Sequence, residues 1–139
     1  MTPLIRAALI AAAAGLLACR ECKEHQPTAR VCLPDLAAAQ TPITLQAADP
    51  CTSCDFDGLS CTATIDGESG NVRLTVLTTA CQRSGLCAAV CVRRDTSCVL
   101  PPLAPGERAV VVNGVLAGTL RVAEGGAGSC SLPAGPLPP

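Results

Sequence analysis

Cysteine is the residue type in this chain with the widest chemical potential. Eleven of the 139 residues are cysteines, whereas the chain has one histidine, His25, and neither tryptophan nor tyrosine. Thiols at this density can form disulfide bridges, hold zinc, exchange electrons or carry an attached group. Because eleven thiols cannot all pair within one molecule, we expect at least one cysteine to have a separate role.

The first cysteine follows a segment that is typical of protein export. Arg6 precedes the uncharged run Ala7 to Ala18, which is long enough for the apolar part of a signal peptide and shorter than the roughly 20 residues of a membrane-spanning helix. The run ends in Leu16-Leu17-Ala18-Cys19. In order, these are an aliphatic residue, a position that tolerates various residues, a small residue and a cysteine. This motif resembles the lipobox of bacterial lipoproteins. The resemblance implies that diacylglycerol alkylates the Cys19 thiol, that the chain is cut before Cys19, and that the new amine is acylated.

An ordinary secretory signal is the alternative interpretation of the same segment. The general signal peptidase prefers small residues at positions −3 and −1, and Leu16 at −3 fits that preference poorly.

Each buried methylene of an acyl chain such as palmitate contributes about 0.8 kcal/mol, so two or three chains would anchor the protein firmly. Arg20 stands where enterobacterial lipoproteins retained in the inner membrane carry aspartate. We therefore expect a cell-envelope protein anchored by lipid, with the outer membrane favoured.

Ten cysteines remain when Cys19 is set aside, which is enough for five bridges. Removing 18 residues from the 139-residue chain leaves 121, so more than 8% of the mature chain is cysteine available for bridging. That density is close to the density of disulfide scaffolds in oxidising compartments. The sequence leaves the pairing open. The disulfide candidates are Cys22, Cys32, Cys51, Cys54, Cys61, Cys81, Cys87, Cys91, Cys98 and Cys130.

Redox chemistry is one alternative use of these thiols. The segment Cys51-Thr52-Ser53-Cys54 has the spacing of a redox dithiol, but activation requires a thiol whose pKa is lowered at a helix N-terminus. Asp55 and Asp57 would disfavour a thiolate, and Pro50 and Gly58 oppose a helix there. A structural role in disulfides is therefore the favoured interpretation.

Metal binding is the second alternative, and the sequence supports it weakly. A zinc site needs paired Cys-x-x-Cys knuckles or cysteine with histidine at ligand spacing. Cys22 follows Cys19 at that spacing, but the Cys19 thiol is committed to lipid, and we expect His25 to be solvated. Asp55-Phe56-Asp57-Gly58 lacks the further oxygen ligands of a calcium loop. Cys87 and Cys91 are expected to be bridged. The sequence therefore predicts neither a metal nor another cofactor.

The composition also argues against catalysis and nucleic-acid binding. A nucleophilic enzyme needs a base beside its nucleophile, and the one histidine is a poor candidate. Ten basic and eleven acidic residues provide no basic stripe for nucleic acid. The sequence thus predicts a non-catalytic interaction or structural module, whose partners are the membrane and an unidentified envelope protein or polymer. The alternative is a protease inhibitor that displays Arg83, Arg93 or Arg94 on a stapled loop between Cys81 and Cys98.

Two β-hairpins are predicted from alternating apolar and polar residues. The first joins 61–66 to 72–76 through the turn at 67–70. The second joins 109–112 to 115–117 through Asn113-Gly114, because both central residues of a type I′ turn need a positive φ. Simple pairing across that turn predicts one buried face, made by Ala109, Val111, Leu116, Gly118, Leu120 and Val122.

The second hairpin supports a fold-level resemblance. Leu103 to Gly114, followed by Thr119 to Val122, resembles the closing hairpin of immunoglobulin-like sandwiches in bacterial surface proteins, with Arg108 where those carry tyrosine. The whole chain is similar to small cysteine-rich lipoproteins of high-GC soil bacteria, which have no assigned function. We expect an all-β, small, disulfide-rich, antiparallel β-sandwich-like domain. The predicted divisions are a signal peptide at 1–18, a lipidated tether at 19–50, the β domain at 51–130 and a Pro-rich disordered tail at 131–139.

Overall fold

The computed structural model describes residues 21–82 and 91–133, and this part of the chain is built from strands without a helix. The predicted all-β, disulfide-rich fold class is confirmed. Nine strands are formed: β1 (Cys22–His25), β2 (Arg30–Cys32), β3 (Ala37–Ala38), β4 (Ile43–Thr52), β5 (Phe56–Ile65), β6 (Val72–Cys81), β7 (Val92–Leu100), β8 (Gly106–Val112) and β9 (Val115–Ala123).

The strands form two sheets. In the six-stranded sheet, β5 pairs with one side of β6, while β1 and β8 pair with different stretches of its other side. β9 lies beside β8, and β3 lies beside β9. The three-stranded sheet has the order β2-β4-β7. Two pairs, β6 with β8 and β3 with β9, are parallel. The larger sheet is therefore mixed, because β8 is reached by a crossover from β7 in the other sheet rather than by a hairpin from β6.

The segment predicted to be a tether, 19–50, is instead part of the folded domain from Cys22 onwards. It supplies β1, β2, β3 and most of β4, which is the central strand of the smaller sheet. Ile43, Leu45 and Ala47 are buried while Thr44 and Gln46 are exposed, so the period-2 pattern of a half-buried strand is present there. The domain boundary placed at Cys51 is wrong, since it divides a ten-residue strand.

Both predicted hairpins are present. In the first, Ile65 pairs with Val72 and Cys61 with Val76. In the second, Asn113 and Gly114 have φ values of 48° and 84°, as the type I′ turn requires.

The predicted buried face of the second hairpin is only partly correct. Val111 pairs with Leu116, but Val110 pairs with Gly118, so Ala117 is an extra residue in a β-bulge. A bulge of one residue reverses the side-chain phase of a strand. Leu120 and Val122 are consequently buried as predicted, and the residues of β8 that are buried with them are Val110 and Val112. Of the other residues assigned to that face, Leu116 is exposed, and Ala109, Val111 and Gly118 are partly exposed.

The core lies between the two sheets and is almost wholly aliphatic. Its largest completely buried side chains are those of Leu45, Leu74, Leu100 and Leu120. Phe56, the one aromatic residue, is half-buried. Small aliphatic side chains bury less area than aromatic rings, so this domain depends on its bridges more than a domain with an aromatic core.

The chain after β9 wraps the smaller sheet. The Gly128 N–H donates to Leu36 O at 2.8 Å, Cys130 is bridged to Cys32, and the Leu132 N–H donates to Gln46 Oε1 at 3.2 Å. Arg93 then donates to the carbonyl of Pro133. Residues 130–133 therefore run from β2 across β4 to β7. The signal peptide, Cys19 and residues 134–139 of the predicted tail lie outside the described residues.

Candidate functional site: a groove at the open seam of the two sheets

Disulfide bonds occupy the thiols at every described cysteine. Nine cysteines are disulfide-bonded, and Cys87 lies outside the described residues. Cys22–Cys81 joins β1 to β6, and Cys61–Cys98 joins β5 of the larger sheet to β7 of the smaller. The other two described bridges are Cys32–Cys130 and Cys51–Cys91.

The Cys-x-x-Cys segment does not form an internal bridge. Cys51 is bonded to Cys91, 40 residues away, and Cys54 is disulfide-bonded separately. A redox dithiol cycles between two thiols and a bridge joining those same two residues, so this arrangement gives the segment a structural role. Within 21–82 and 91–133, no three histidine, cysteine, aspartate or glutamate side chains are grouped as metal ligands.

The arginines proposed for protease inhibition are placed differently from the expectation of a displayed loop. Arg93 and Arg94 both lie in strand β7. The Arg93 side chain pairs with Asp95 at 2.8 Å and bonds to Pro133, while the Arg94 guanidinium lies 5.1 Å from the centre of the Phe56 ring. An inhibitor needs a cation that can enter an acidic pocket, and these two are engaged within the domain. Arg83 lies outside the described residues.

The Arg108 side chain links two loops by hydrogen bonds. Its Nη1 donates to Gly70 O at 3.0 Å and its Nη2 donates to Ala104 O at 3.2 Å. Arg108 therefore holds β8 against the turn between β5 and β6. This role is structural and leaves little of the guanidinium for a ligand.

A groove of about 440 Å³ is lined by described residues from both sheets. One wall is formed by residues 26–31, which are the loop after β1 and the start of β2. The other wall is the tip of the β8–β9 hairpin, from Val112 to Ala117. The groove therefore lies between a strand of the smaller sheet and a strand of the larger sheet.

Asn113 fixes the position of the hairpin wall. Its Nδ2 donates to Pro27 O at 2.9 Å and to Val76 O at 3.0 Å, and its Oδ1 accepts from the Val76 N–H at 2.9 Å. One side chain thus joins the hairpin, the loop after β1 and the centre of β6. The sequence predicted the Asn-Gly turn, but it did not predict the hydrogen bonds of the Asn113 side chain to Pro27 and Val76.

The hairpin wall exposes apolar side chains on an unpaired strand edge. Val115 is 70% exposed and Leu116 is 67% exposed. β3 pairs with β9 only at Val122 and Ala123, and in the described chain no other strand pairs with this side of β9. The β-bulge at Ala117 interrupts the regular ladder of β9 between Leu116 and Gly118. The open edge of β9 is therefore residues 115–117.

The opposite wall is also a strand edge. β2 pairs with β4 on one side, and the described residues place no strand on its other side. Arg30 is the one charged residue that lines the groove. The signal that could have indicated this site is the stretch 109–120, where twelve residues include no charge, although edge strands are usually protected by charged side chains.

Comparisons with models of known protein families, with curated proteins and with solved structures found no match. Across the described segments, none of the secondary structure is a helix able to cross a membrane.

Proposed function

We propose that this chain is a lipid-anchored, non-catalytic cell-envelope protein whose disulfide-stapled domain binds a partner through the groove between 26–31 and 112–117. The observation that carries the proposal is the bonding of all nine described cysteines in disulfides. Such bridges persist in oxidising compartments outside the cytoplasm. The export segment and the cysteine of the lipobox-like motif are consistent with that location.

The position of β1 adds a spatial consequence to lipid anchoring. Cys19 precedes the first residue of β1, Cys22, by three positions. An extended chain spans at most about 3.3–3.6 Å per residue, so an anchor at Cys19 would hold β1 within about 10 Å of the lipid attachment. The domain would then rest directly on the membrane surface.

The shape and lining of the groove favour binding over catalysis. Its exposed residues are mainly apolar, and its polar anchor, Asn113, uses its amide for structural hydrogen bonds. A nucleophile needs an adjacent base, whereas contiguous exposed apolar surface, here formed by Val115, Leu116 and Ala117, marks interaction sites. The groove therefore provides contact area for a partner.

Acylation is tested by feeding an alkyne analogue of palmitate to bacteria that express the full chain. We expect incorporation into the wild-type protein and its loss in Cys19→Ala. Leu17→Ala, which alters the tolerant position of the motif, is the matched control and should be labelled normally. An intact mass without acyl groups, together with a mature N-terminus other than Cys19, would contradict the anchor.

The binding role is tested against the inhibitor alternative with a panel of trypsin-like proteases. We expect no inhibition by the mature protein. Stoichiometric inhibition that is lost in Arg83→Ala, Arg93→Ala or Arg94→Ala would replace the proposed function with protease inhibition.

A further inference from the structure

We propose that the groove accepts an extended apolar segment of another envelope protein, which adds as a strand to the open edge of β9. The inference deepens the proposed binding function by naming the class of partner. It does not depend on the lipid anchor.

The backbone of Leu116 provides the hydrogen-bonding groups for such a strand. Val112 and Val115 close the two-residue turn, and Val111 pairs with Leu116. In an antiparallel ladder, alternate residues turn their N–H and C=O towards the partner strand and away from it. The closing pair of a two-residue turn is hydrogen-bonded. The N–H and C=O of Leu116 therefore point away from β8, towards the groove.

The side chains at this edge lack the usual protection against strand pairing. Natural edge strands carry charges, prolines or covering segments that prevent addition of another strand. From 115 to 117 the edge is Val-Leu-Ala, and Val115 and Leu116 are the two most exposed large apolar residues in the described chain. Added strands gain affinity from backbone hydrogen bonds and specificity from alternate side chains.

The lining also indicates the chemistry of the occupant. Arg30 is the one charged residue among the residues that line the groove, and the remainder are apolar or neutral. Arg30 already has an interaction partner within the protein, so a charged segment would lose solvation in the groove with little counter-charge to offset the loss. The contacting residues of the partner are therefore expected to be uncharged and mostly apolar.

A second copy of this chain fits the edge poorly. Stable protein interfaces bury about 800 Å² on each partner. The open edge is three residues long, which corresponds to about 10 Å of strand. The β-bulge at Ala117 interrupts the regular edge beyond it, and bulges limit strand addition at an edge. A short peptide segment can use this edge, whereas two folded domains would gain little from it.

The C-terminal tail of the chain is also a poor occupant. Pro133 is held by Arg93 on β7, which is separated from β2 by β4. Four of the nine residues from Ser131 to Pro139 are prolines, which have no N–H to donate to a strand ladder. The partner segment is therefore expected to come from another protein.

The test uses the mature, ¹⁵N-labelled full chain in detergent micelles. The probe is a blocked peptide of alternating valine and threonine with a lysine at each end. The control peptide carries N-methyl groups on the valines and cannot donate those hydrogen bonds. We expect saturable binding, chemical-shift changes confined to 26–31 and 112–118, and about tenfold slower hydrogen exchange at the Leu116 N–H, as formation of a new backbone hydrogen bond implies.

The matched protein variants are Leu116→Lys and Val99→Lys. Val99 is also an exposed apolar residue, at 60%, but it lies on β7 away from the groove. We expect Leu116→Lys to weaken probe binding at least tenfold while its spectrum outside the groove is retained, and Val99→Lys to bind as the wild type does. The proposal is overturned by absence of saturable binding, by equal binding of the N-methylated peptide, or by equal effects of the two lysine substitutions.

Sedimentation of the same samples completes the test. A concentration-dependent dimer that is lost in Leu116→Lys would replace the peptide with a second copy as the occupant. Peptide binding and acylation are measured separately. A failure of peptide binding would therefore not change the acylation result, and an absence of acylation would not contradict the strand proposal.

Discussion

The side-chain amide of Asn113 pairs with both backbone hydrogen-bonding groups of Val76, as a neighbouring strand would. The Val76 N–H donates to Asn113 Oδ1 at 2.9 Å, and Asn113 Nδ2 donates to Val76 O at 3.0 Å. β8 pairs with β6 as far as Leu74, and β1 pairs with β6 from Thr78 onwards. One side chain therefore fills the gap between two strands that lie end to end along β6.

Replacement of Asn113 is expected to destabilise the domain and the groove together. A buried group left without its partner costs about 1–3 kcal/mol, and Asn113→Gly removes the amide while allowing the positive φ of 48°. We expect that variant to lose stability within this range in guanidinium unfolding. Asn113→Asp should lose more, since its second carboxylate oxygen would face the carbonyl oxygens of Pro27 and Val76. A Gly variant as stable as the wild type would contradict the bridging role.

A buried hydrogen bond between the sheets gives a second prediction. The Thr78 hydroxyl on β6 donates to Asp49 Oδ2 on β4 at 2.6 Å, and each residue is 2% exposed. Thr78→Val keeps the side-chain shape but removes a donor from a buried carboxylate, so we expect a loss of about 1–3 kcal/mol or more in thermal unfolding. Thr75→Val, on an exposed position of the same strand, is the control and should change stability by less than about 0.5 kcal/mol. Equal effects would show that the hydroxyl is unimportant.

The sequence predicted the local features of this fold better than its long-range ones. Both hairpins follow from short-range chemistry, namely alternation in 61–76 and the positive-φ requirement at Asn113-Gly114. The face of β9 was mispredicted because the bulge at Ala117 has no strong local signature, although Gly118 beside it has a φ of 154°. Without knowledge of the bulge, a simple hairpin register was the natural choice.

The N-terminal segment was misassigned for a different reason. β1 and β2 have four and three residues, which is too short for a periodic pattern to stand out. Their stability comes from distant partners, since β1 lies along β6 and Cys22 is bonded to Cys81 across 59 residues. The groove depends on the same segment, so the candidate site could not be assembled from the sequence.

The turn between β5 and β6 should give a pH dependence that can be assigned to one carboxylate. The backbone N–H groups of Ser69 and Glu68 donate to Asp66 Oδ1, and Arg73 pairs with Oδ2. The hydrogen bond from Ser69, then that from Glu68, and the Arg73 charge lower the pKa of Asp66 below its ordinary value of 3.8. Because the folded state favours the carboxylate, its stabilising contribution is present above pH 3.8 and is lost as the pH falls below that value.

We expect the Asp66 carboxyl carbon to titrate below pH 3.8 in an NMR experiment on the folded protein. Asp66→Asn, which retains an acceptor oxygen but does not ionise, should remove this part of the acid dependence of unfolding. A midpoint at or above the ordinary value would contradict the prediction, as would identical acid unfolding of variant and wild type.

Two bridges of nearly equal loop length allow the packing role of a disulfide to be separated from its effect on chain entropy. Cys61–Cys98 spans 37 residues and Cys51–Cys91 spans 40. Each loop corresponds to about 4 kcal/mol in the chain-entropy relation, and the two differ by less than about 0.1 kcal/mol. Their surroundings are unlike, because Cys98 is completely buried in the core while Cys51 and Cys91 are exposed.

We therefore expect Cys61→Ala/Cys98→Ala to lose more stability than Cys51→Ala/Cys91→Ala. The first double variant also creates space in the core at Cys98 and removes the bond between β5 and β7, which belong to different sheets. Loss of buried side-chain volume should add about 1 kcal/mol or more to the cost. Guanidinium unfolding under non-reducing conditions measures both losses, and thiol titration of each folded variant must find no reactive thiol. Equal losses would assign the whole effect to chain entropy, and the reverse order would contradict the packing role of Cys98.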